Sequence, residues 1–379
     1  MTPGTIPHAN TPHNSYYLSQ RAWLDQLRLM VELAYPSWAL MPAIGAIVRS
    51  HLPCAVMNFG WADLLTLHPL ATWVYPLKPH VYEQFLANPQ DIFDDVPIKA
   101  MRDSHGRFLQ MIEASPGYEQ APIYKDMLQA YGARWGLSCP ITTKQWLGFI
   151  TLYRQAELGP YPEEDWQTLA SAGEILTALD DHQHTQPSGD ETAPPARREA
   201  VTASLCLTAD GSMLAQSPAT KNILFLARQT GMGPPLWARD DWHALPEAVT
   251  QAAQALFNHP EPFQQTTVSH QLPWGKFDFQ LEKMQARHPT LKDVMNITIR
   301  HHEPLDIAIA RKLWGWAMSP QEKRILIISA RNNSQEQIAQ NLNISVGTLK
   351  SYTNELLARF NAPTRQALMQ AVLNSSDHP

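Results

Sequence analysis

Cysteine is scarce in this chain of 379 residues: only Cys54, Cys139 and Cys206 occur. Widely spaced and odd in number, they make neither a disulfide framework nor a zinc pattern, and they read as reduced thiols of a cytoplasmic protein. No run of 18 apolar residues exists, so no membrane-spanning helix is expected. The opening segment, MTPGTIPHANTPHN, has no basic stretch leading into an apolar one and does not read as a secretory signal. The 17 glycines are scattered, with no phosphate-cradling loop among them. No serine sits in a nucleophile elbow, so the chain is not expected to be an enzyme. The pairs His182/His184 and His301/His302 have no cysteine or carboxylate at ligand spacing. The second pair also falls at a strand end, where alternation sends the two rings to opposite sides. Neither a metal site nor a tightly held cofactor is expected.

A strong excess of one charge is also missing. The net charge is −6, which does not advertise nucleic-acid binding. The charge is unevenly spread, however. Residues 305–379 hold eight Lys/Arg against five Asp/Glu and stand at +3, leaving −9 on the remainder. A mildly basic module on an acidic body suits a reader of phosphate backbones that avoids indiscriminate binding to polyanions.

What is present is ordinary globular material: 44% hydrophobic and 17% charged residues, with 31 prolines. The length allows two or three domains, each able to bury a core. Residues 1–17 read as disordered. A helical pattern over 18–52 must break or kink at Pro36 and Pro42. Residues 54–63 alternate as a strand, and 64–136 read as irregular, with helix-like pieces near 80–87 and 124–133. Residues 137–141 and 145–154 pair as a hairpin, and a long amphipathic helix follows over 162–182. Residues 185–199 (TQPSGDETAPPARRE) contain no large apolar side chain and read as a linker. Beyond it, 203–208 and 212–215 are strands about a turn at Asp210-Gly211. A helix follows Ser217, strands are expected at 277–283 and 294–301, and a connecting helix at 305–316.

The clearest local signals lie near the end. Ser319-Pro320-Gln321-Glu322 is a capping box with proline at the first helical position, and Ser334-Gln335-Glu336-Gln337 repeats the device. Ser345 precedes a third helix over 346–360. Ile338, Ala339 and Leu342 on the second helix, and Leu349, Tyr352, Leu356 and Phe360 on the third, recur at helical spacing and face inward. Asn343 sits in the intervening turn, where a positive φ is required and asparagine tolerates it. The third helix is left with a polar face of Thr348, Lys350, Ser351, Asn354 and Glu355. Short polar groups around one lysine suit entry into a major groove, where lysine can bond guanine O6/N7 and asparagine adenine N6/N7. The amides at Ser345, Val346 and Thr348 face a phosphate at the helix start. A small helical bundle for protein contacts is the plain alternative.

The segment MSPQEKRILIISARNNSQEQIAQNLNISVGTLKSYTNELLARFNAPTRQALMQAV resembles the LuxR-type helix-turn-helix. Met318-Ser319-Pro320, Glu322, Ile338-Ala339, Ile344-Ser345, Thr348-Leu349-Lys350, Leu357 and Phe360 occupy the matching places. The resemblance implies a four-helix module over 318–375, with 364–373 as fourth helix and dimer contact, and Lys350, Ser351 and Asn354 turned to the bases. Asn332-Asn333, Tyr352 and Ala362-Pro363 depart from the family pattern.

The front of the chain resembles sensor modules: residues 18–184 a GAF domain and residues 200–303 a PAS-like domain, joined to the end by 304–317. The fold class expected is therefore multidomain, with two α+β sensors before an all-α DNA-binding module. A response-regulator front is excluded, because Asp94-Asp95 and Asp180-Asp181 do not follow strands in the order such a phospho-acceptor needs. A quorum-sensing lactone receptor remains an alternative through Trp61 and Asp63, as does an adaptor using a degenerate helix-turn-helix. A pocket in the first sensor would draw on Cys54, Asn58, Trp61, Cys139 and Trp146, residues that could equally be plain core. The expected function is a DNA-binding transcription regulator controlled by its sensor domains. Its expected partners are double-stranded DNA, a second copy of the chain, RNA polymerase and a small-molecule effector.

Overall fold

Two five-stranded antiparallel sheets with one shared strand order carry the chain as far as Pro304. The computed structural model describes residues 13–63, 69–76, 109–110, 117–120, 124–143, 146–182, 197–229, 239, 241–261, 264–285, 287, 293–313, 316–331 and 334–375. In the first domain α1 (His13–Glu32) and α2 (Ser37–His51) precede β1 (Val56–Asp63) and β2 (Pro69–Tyr75). A short β3 (Leu109–Gln110), the hairpin β4 (Ala133–Thr142) and β5 (Trp146–Gln155), and α3 (Glu163–Leu176) complete it. Its sheet runs β2-β1-β5-β4-β3.

Pro36 breaks the expected long helix and becomes the N-cap of α2, while Pro42 sits inside α2 without ending it. A proline there removes one backbone bond near the helix start. The burial of ten of the fifteen residues of α2 outweighs that loss. Two glycines let these helices approach the sheet. A Cβ on Gly45 of α2 would collide with the Trp73 ring, and one on Gly173 of α3 with Cys139 Sγ.

The second domain comprises β6 (Arg197–Thr208), β7 (Met213–Gln216), α4 (Thr220–Arg228), α5 (Glu247–Asn258), β8 (Gln265–Leu272), β9 (Gly275–Gln285) and β10 (Asp293–Pro304). Its sheet runs β7-β6-β10-β9-β8. Burial along β9 alternates strictly. Phe277, Phe279 and Leu281 point to the core with Ile297 and Ile299 of β10, under α4 and α5. The β6–β7 turn holds Gly211 at φ 90°, with Trp242 so close that no side chain fits there.

Several expectations change. Helix α1 begins at His13, inside the segment expected to be disordered; residues 1–12 lie outside the described ones. Strand β6 begins at Arg197, so residues 197–199 belong to the sheet and not to a linker. Residues 69–75, read as irregular, form β2. The helix-like piece near 80–87 falls outside the described residues, and 124–131 is one turn of π-helix followed by one of 3-10.

The domains are packed together. Trp73 Nε1 donates to Asn222 Oδ1 of α4 at 2.9 Å, and Trp38 of α2 meets Trp274 edge-on at 6.2 Å. Helix α6 (Leu305–Lys312) leads directly from β10 into four further helices: α7 (Pro320–Ser329), α8 (Gln335–Asn341), α9 (Val346–Arg359) and α10 (Arg365–Asn374). The connecting helix is thus shorter than the expected 305–316. Trp316 beyond it is buried and stacks on Phe360 at 5.5 Å. Among the described residues no helix is long and apolar enough to cross a membrane.

Candidate functional site

Helices α7 to α10 are each started by a hydroxyl. Ser319 Oγ accepts from the Glu322 amide at 3.2 Å while Glu322 Oε2 accepts from the Ser319 amide at 2.7 Å. Ser334 and Gln337 repeat the exchange at 3.2 and 2.8 Å. Ser345 Oγ accepts from the Thr348 amide at 3.0 Å, and Thr364 Oγ1 from the Ala367 amide at 3.1 Å. Each cap satisfies amides that a helix start leaves unpaired. Asn343 has φ 53° in the turn before α9, and Asn361, which sequence reasoning passed over, plays the same part before α10 with φ 48°.

The caps fix the face that α9 presents. Leu349 and Leu356 are buried against α7, α8 and α10, and Tyr352 and Phe360 are half-buried beside them. On the other side Ser345, Thr348, Lys350, Ser351 and Asn354 are all exposed, and Val346 is half-buried. These are the residues expected at a DNA interface, and the fold places them on one outward surface. Ser351 Oγ donates to the Gly347 carbonyl at 3.4 Å, which keeps its oxygen free to accept. Lys350 is near Glu336 of α8. The Glu336 carboxyl is held below its usual range by its own backbone amide, by Ser334 and, to a lesser degree, by Lys350.

The first sheet tells against the expected pocket as a single wall. Trp61 lies over Gly148 and faces the helix side of the sheet with Cys139, whose sulfur meets α3; by register Trp146 shares that side. Asn58 points to the other side, and Cys54 precedes β1. Burial pushes the thiols of Cys54 and Cys139 up to about 12, which makes them inert. Two side chains of this set are core-like indoles with an unpaired Nε1, Trp61 and Trp146.

The side away from the helices carries a feature that strand-by-strand reading missed. Asn58, Thr151 and Ser138 are register partners across β1, β5 and β4, and Thr72 lies on the same side of β2, opposite Gly60. All four are buried. Ser138 Oγ and Thr151 Oγ1 bond each other at 2.9 Å, but among the described residues Asn58 Oδ1 and Thr72 Oγ1 have no hydrogen-bond partner. Buried polar atoms are normally satisfied, so two such atoms in one uncharged polar row stand out from the apolar sheet around them. Small polar residues recurring on one face of an otherwise apolar hairpin are the signal that could have found them.

Helix α6 joins the first domain to the helical module. Asp306, 1% exposed, accepts from Tyr35 Oη at 3.1 Å and from Arg331 Nε at 2.7 Å. Arg331 Nη2 reaches the Leu33 carbonyl at 2.6 Å. Gln26 of α1 donates to the carbonyls of Ala310 and Arg311 at 3.1 and 3.2 Å. Glu32 at the end of α1 takes both Arg324 Nε and Nη2, at 2.8 and 2.5 Å. Two-pronged pairs of this kind fix orientation as well as proximity.

Comparison with known proteins bears on the end of the chain. Residues 317–372 match the family model for bacterial regulatory proteins of the luxR family. No curated protein sequence matches the chain. Among solved structures, the N-acylhomoserine lactone dependent LuxR family factor CepR2 of Burkholderia cenocepacia is similar at 15% identity. That match covers 46% of this chain and 100% of that one, with a TM-score of 0.33. SdiA of Escherichia coli is similar at 11% identity over 89% of this chain and 91% of that one, with a TM-score of 0.27. VqmA of Vibrio cholerae is similar at 16% identity over 46% and 82%, with a TM-score of 0.18. Structural similarities of this size decide nothing about ligand or mechanism.

Proposed function

Since residues 317–372 are a LuxR-family helix-turn-helix domain, we propose that the chain is a transcription regulator that reads double-stranded DNA with α9. The observation that carries this reading is the split character of α9: its apolar side is buried, and its outward side is a continuous surface of short polar groups around Lys350. Lys350, Ser351 and Asn354 face base edges, while Ser345, Val346 and Thr348 bring the helix start to a phosphate. One helix in one groove reads only a few base pairs, so the regulator works as a dimer on two half-sites, with RNA polymerase as the downstream partner.

The front of the chain sets the state of this reader. Its two α+β domains act as the sensor region, GAF-like and then PAS-like in plan, over residues 13–182 and 197–304. The polar row of Asn58, Thr72, Ser138 and Thr151 takes a small uncharged effector that donates to Asn58 Oδ1 and Thr72 Oγ1. No titratable side chain belongs to the row, which disfavours an ionised ligand there. The α6 seam of Asp306, Arg331, Tyr35 and Glu32–Arg324 carries the effector state to the reader. Effector binding must favour one arrangement of that seam over another to matter.

An electrophoretic mobility shift with the purified chain and its own upstream DNA tests the DNA reading. A salt-sensitive shift is expected, and Lys350→Ala should weaken specific binding by about 1–3 kcal/mol. No shift at low salt, with the effector supplied as cell extract or absent, would reject it.

A further inference from the structure

In the second domain the end of α4 and the start of α5 meet beside the edge strand β8. Between them lies a cavity of about 370 Å³, walled by Arg228, Glu247, Gln251 and His270 among the small apolar groups of Ala227, Pro246 and Ala248. Arg228 and Glu247 put opposite charges on one wall, yet among the described residues no ion pair joins them. Glu247 Oε1 accepts only from Gln251 Nε2, at 3.1 Å. Arg228 Nε is buried with no partner among the described residues. His270 donates to the Ala227 carbonyl, and burial, with a smaller contribution from Arg228, holds its pKa below the ordinary value. The ring is therefore neutral, and its Nε2, also buried and without a partner, offers a lone pair. Helix α5 starts at Pro246 with no side-chain cap. The Val249 and Thr250 amides bond the Pro246 carbonyl, and the two amides before them are those a helix leaves free.

We propose that this cavity binds a free α-amino acid as its zwitterion. The carboxylate lies between the Arg228 guanidinium and the first amides of α5, and the ammonium group between Glu247 and His270 Nε2. The carboxylate of the ligand answers Arg228, whose buried Nε has no partner among the described residues, and its ammonium group answers Glu247, exposed and bonded by Gln251 alone among them. A simple carboxylate would face Glu247 unopposed, and a simple amine would leave Arg228 so. The methyl and ring surfaces of Ala227, Ala248 and Pro246 select a short apolar side chain. This site is separate from the polar row of the first sheet, and its test does not depend on DNA binding.

Calorimetric titration of the full chain with each standard L-amino acid tests it. The best binder is then compared with its 2-hydroxy acid and with its decarboxylated amine. At least one amino acid should bind, and both analogues should bind at least about tenfold more weakly. Arg228→Gln and Glu247→Gln should each lower affinity for that amino acid by about tenfold or more, with unliganded melting unchanged. Should either variant melt early, His270→Phe, which keeps the ring volume, should lose affinity in the same way. The proposal is overturned if no amino acid binds, if either analogue binds as well as the amino acid, or if variants that fold bind as the parent does.

Discussion

The first and second sheets share a strand order and differ in what lies against them. In the second, β9 and β10 alternate between core and outer side chains. Its polar groups such as Asp278, Gln280 and Thr298 therefore fall where solvent or neighbouring side chains satisfy them; Asp278 alone is met by Ser269, Lys276 and His302. In the first, β1 is buried along nearly its whole length, and both faces are closed to water. A serine or threonine on the second sheet is ordinary surface chemistry. The same residue type on the first is a buried polar group that must find a partner. Composition alone does not separate these cases; coverage does.

The comparison can be broken most heavily at Gly45. Gly45→Leu should drive a side chain into the Trp73 ring and destabilise the first domain by about 3 kcal/mol, read as a lower unfolding midpoint. A leucine at Thr298, on the outer side of the second sheet, should stay within about 0.5 kcal/mol. A midpoint for Gly45→Leu equal to that of the parent would mean that α2 does not press on β2 as described.

A smaller effect of opposite sign is expected in the polar row. Thr72→Val removes a buried hydroxyl that has no partner and keeps the shape. It should stabilise the unliganded protein by about 1 kcal/mol and weaken its response to effector. Destabilisation would show that the hydroxyl is already satisfied. Cys206→Ala on the second sheet, where the thiol is half-buried, should leave effector response unchanged in a reporter assay.

The mildest test is pH. His51 stacks on Trp23 at 5.0 Å, and burial lowers its pKa from 6.5 to about 4. The unfolded chain therefore takes up a proton that the folded chain refuses. Stability from this site is complete above about pH 6.5 and is lost as pH falls toward 4. Thermal melts across that window should show His51→Gln flattening the fall, and an unchanged slope would assign the acid sensitivity elsewhere.

These contrasts explain which parts were legible in the sequence. The caps at Ser319, Ser334, Ser345 and Thr364 act within three residues of themselves, so a local pattern fixes them. The outward face of α9 then follows from helical spacing. The row of Asn58, Thr72, Ser138 and Thr151 needs the register of four strands, which no single strand carries. For the same reason the residues expected to wall one pocket do not do so: Trp61, Cys139 and Trp146 share one face, Asn58 takes the other, and Cys54 lies ahead of the sheet. Strand β8 was missed because, as an edge strand, its side chains are only exposed or half-buried, which leaves no apolar alternation to read. Helix α5 escaped because Val249 and Ala253 are its only buried residues, too narrow a stripe to announce a helix.

The seam at α6 limits how this protein can be rebuilt. Domain grafting takes a short junction between helices as a free cut point, and only seven residues separate Lys312 of α6 from Pro320 of α7. Yet Arg324 and Arg331 lie beyond that cut and are held by Glu32, by the Leu33 carbonyl and by Asp306, before it. A chimaera that exchanges only the helical end would leave Asp306 a buried carboxylate without its cation, held by Tyr35 Oη and the Ile307 amide alone. A DNA reader transplanted onto this front needs both arginines, or their equivalents, to travel with it.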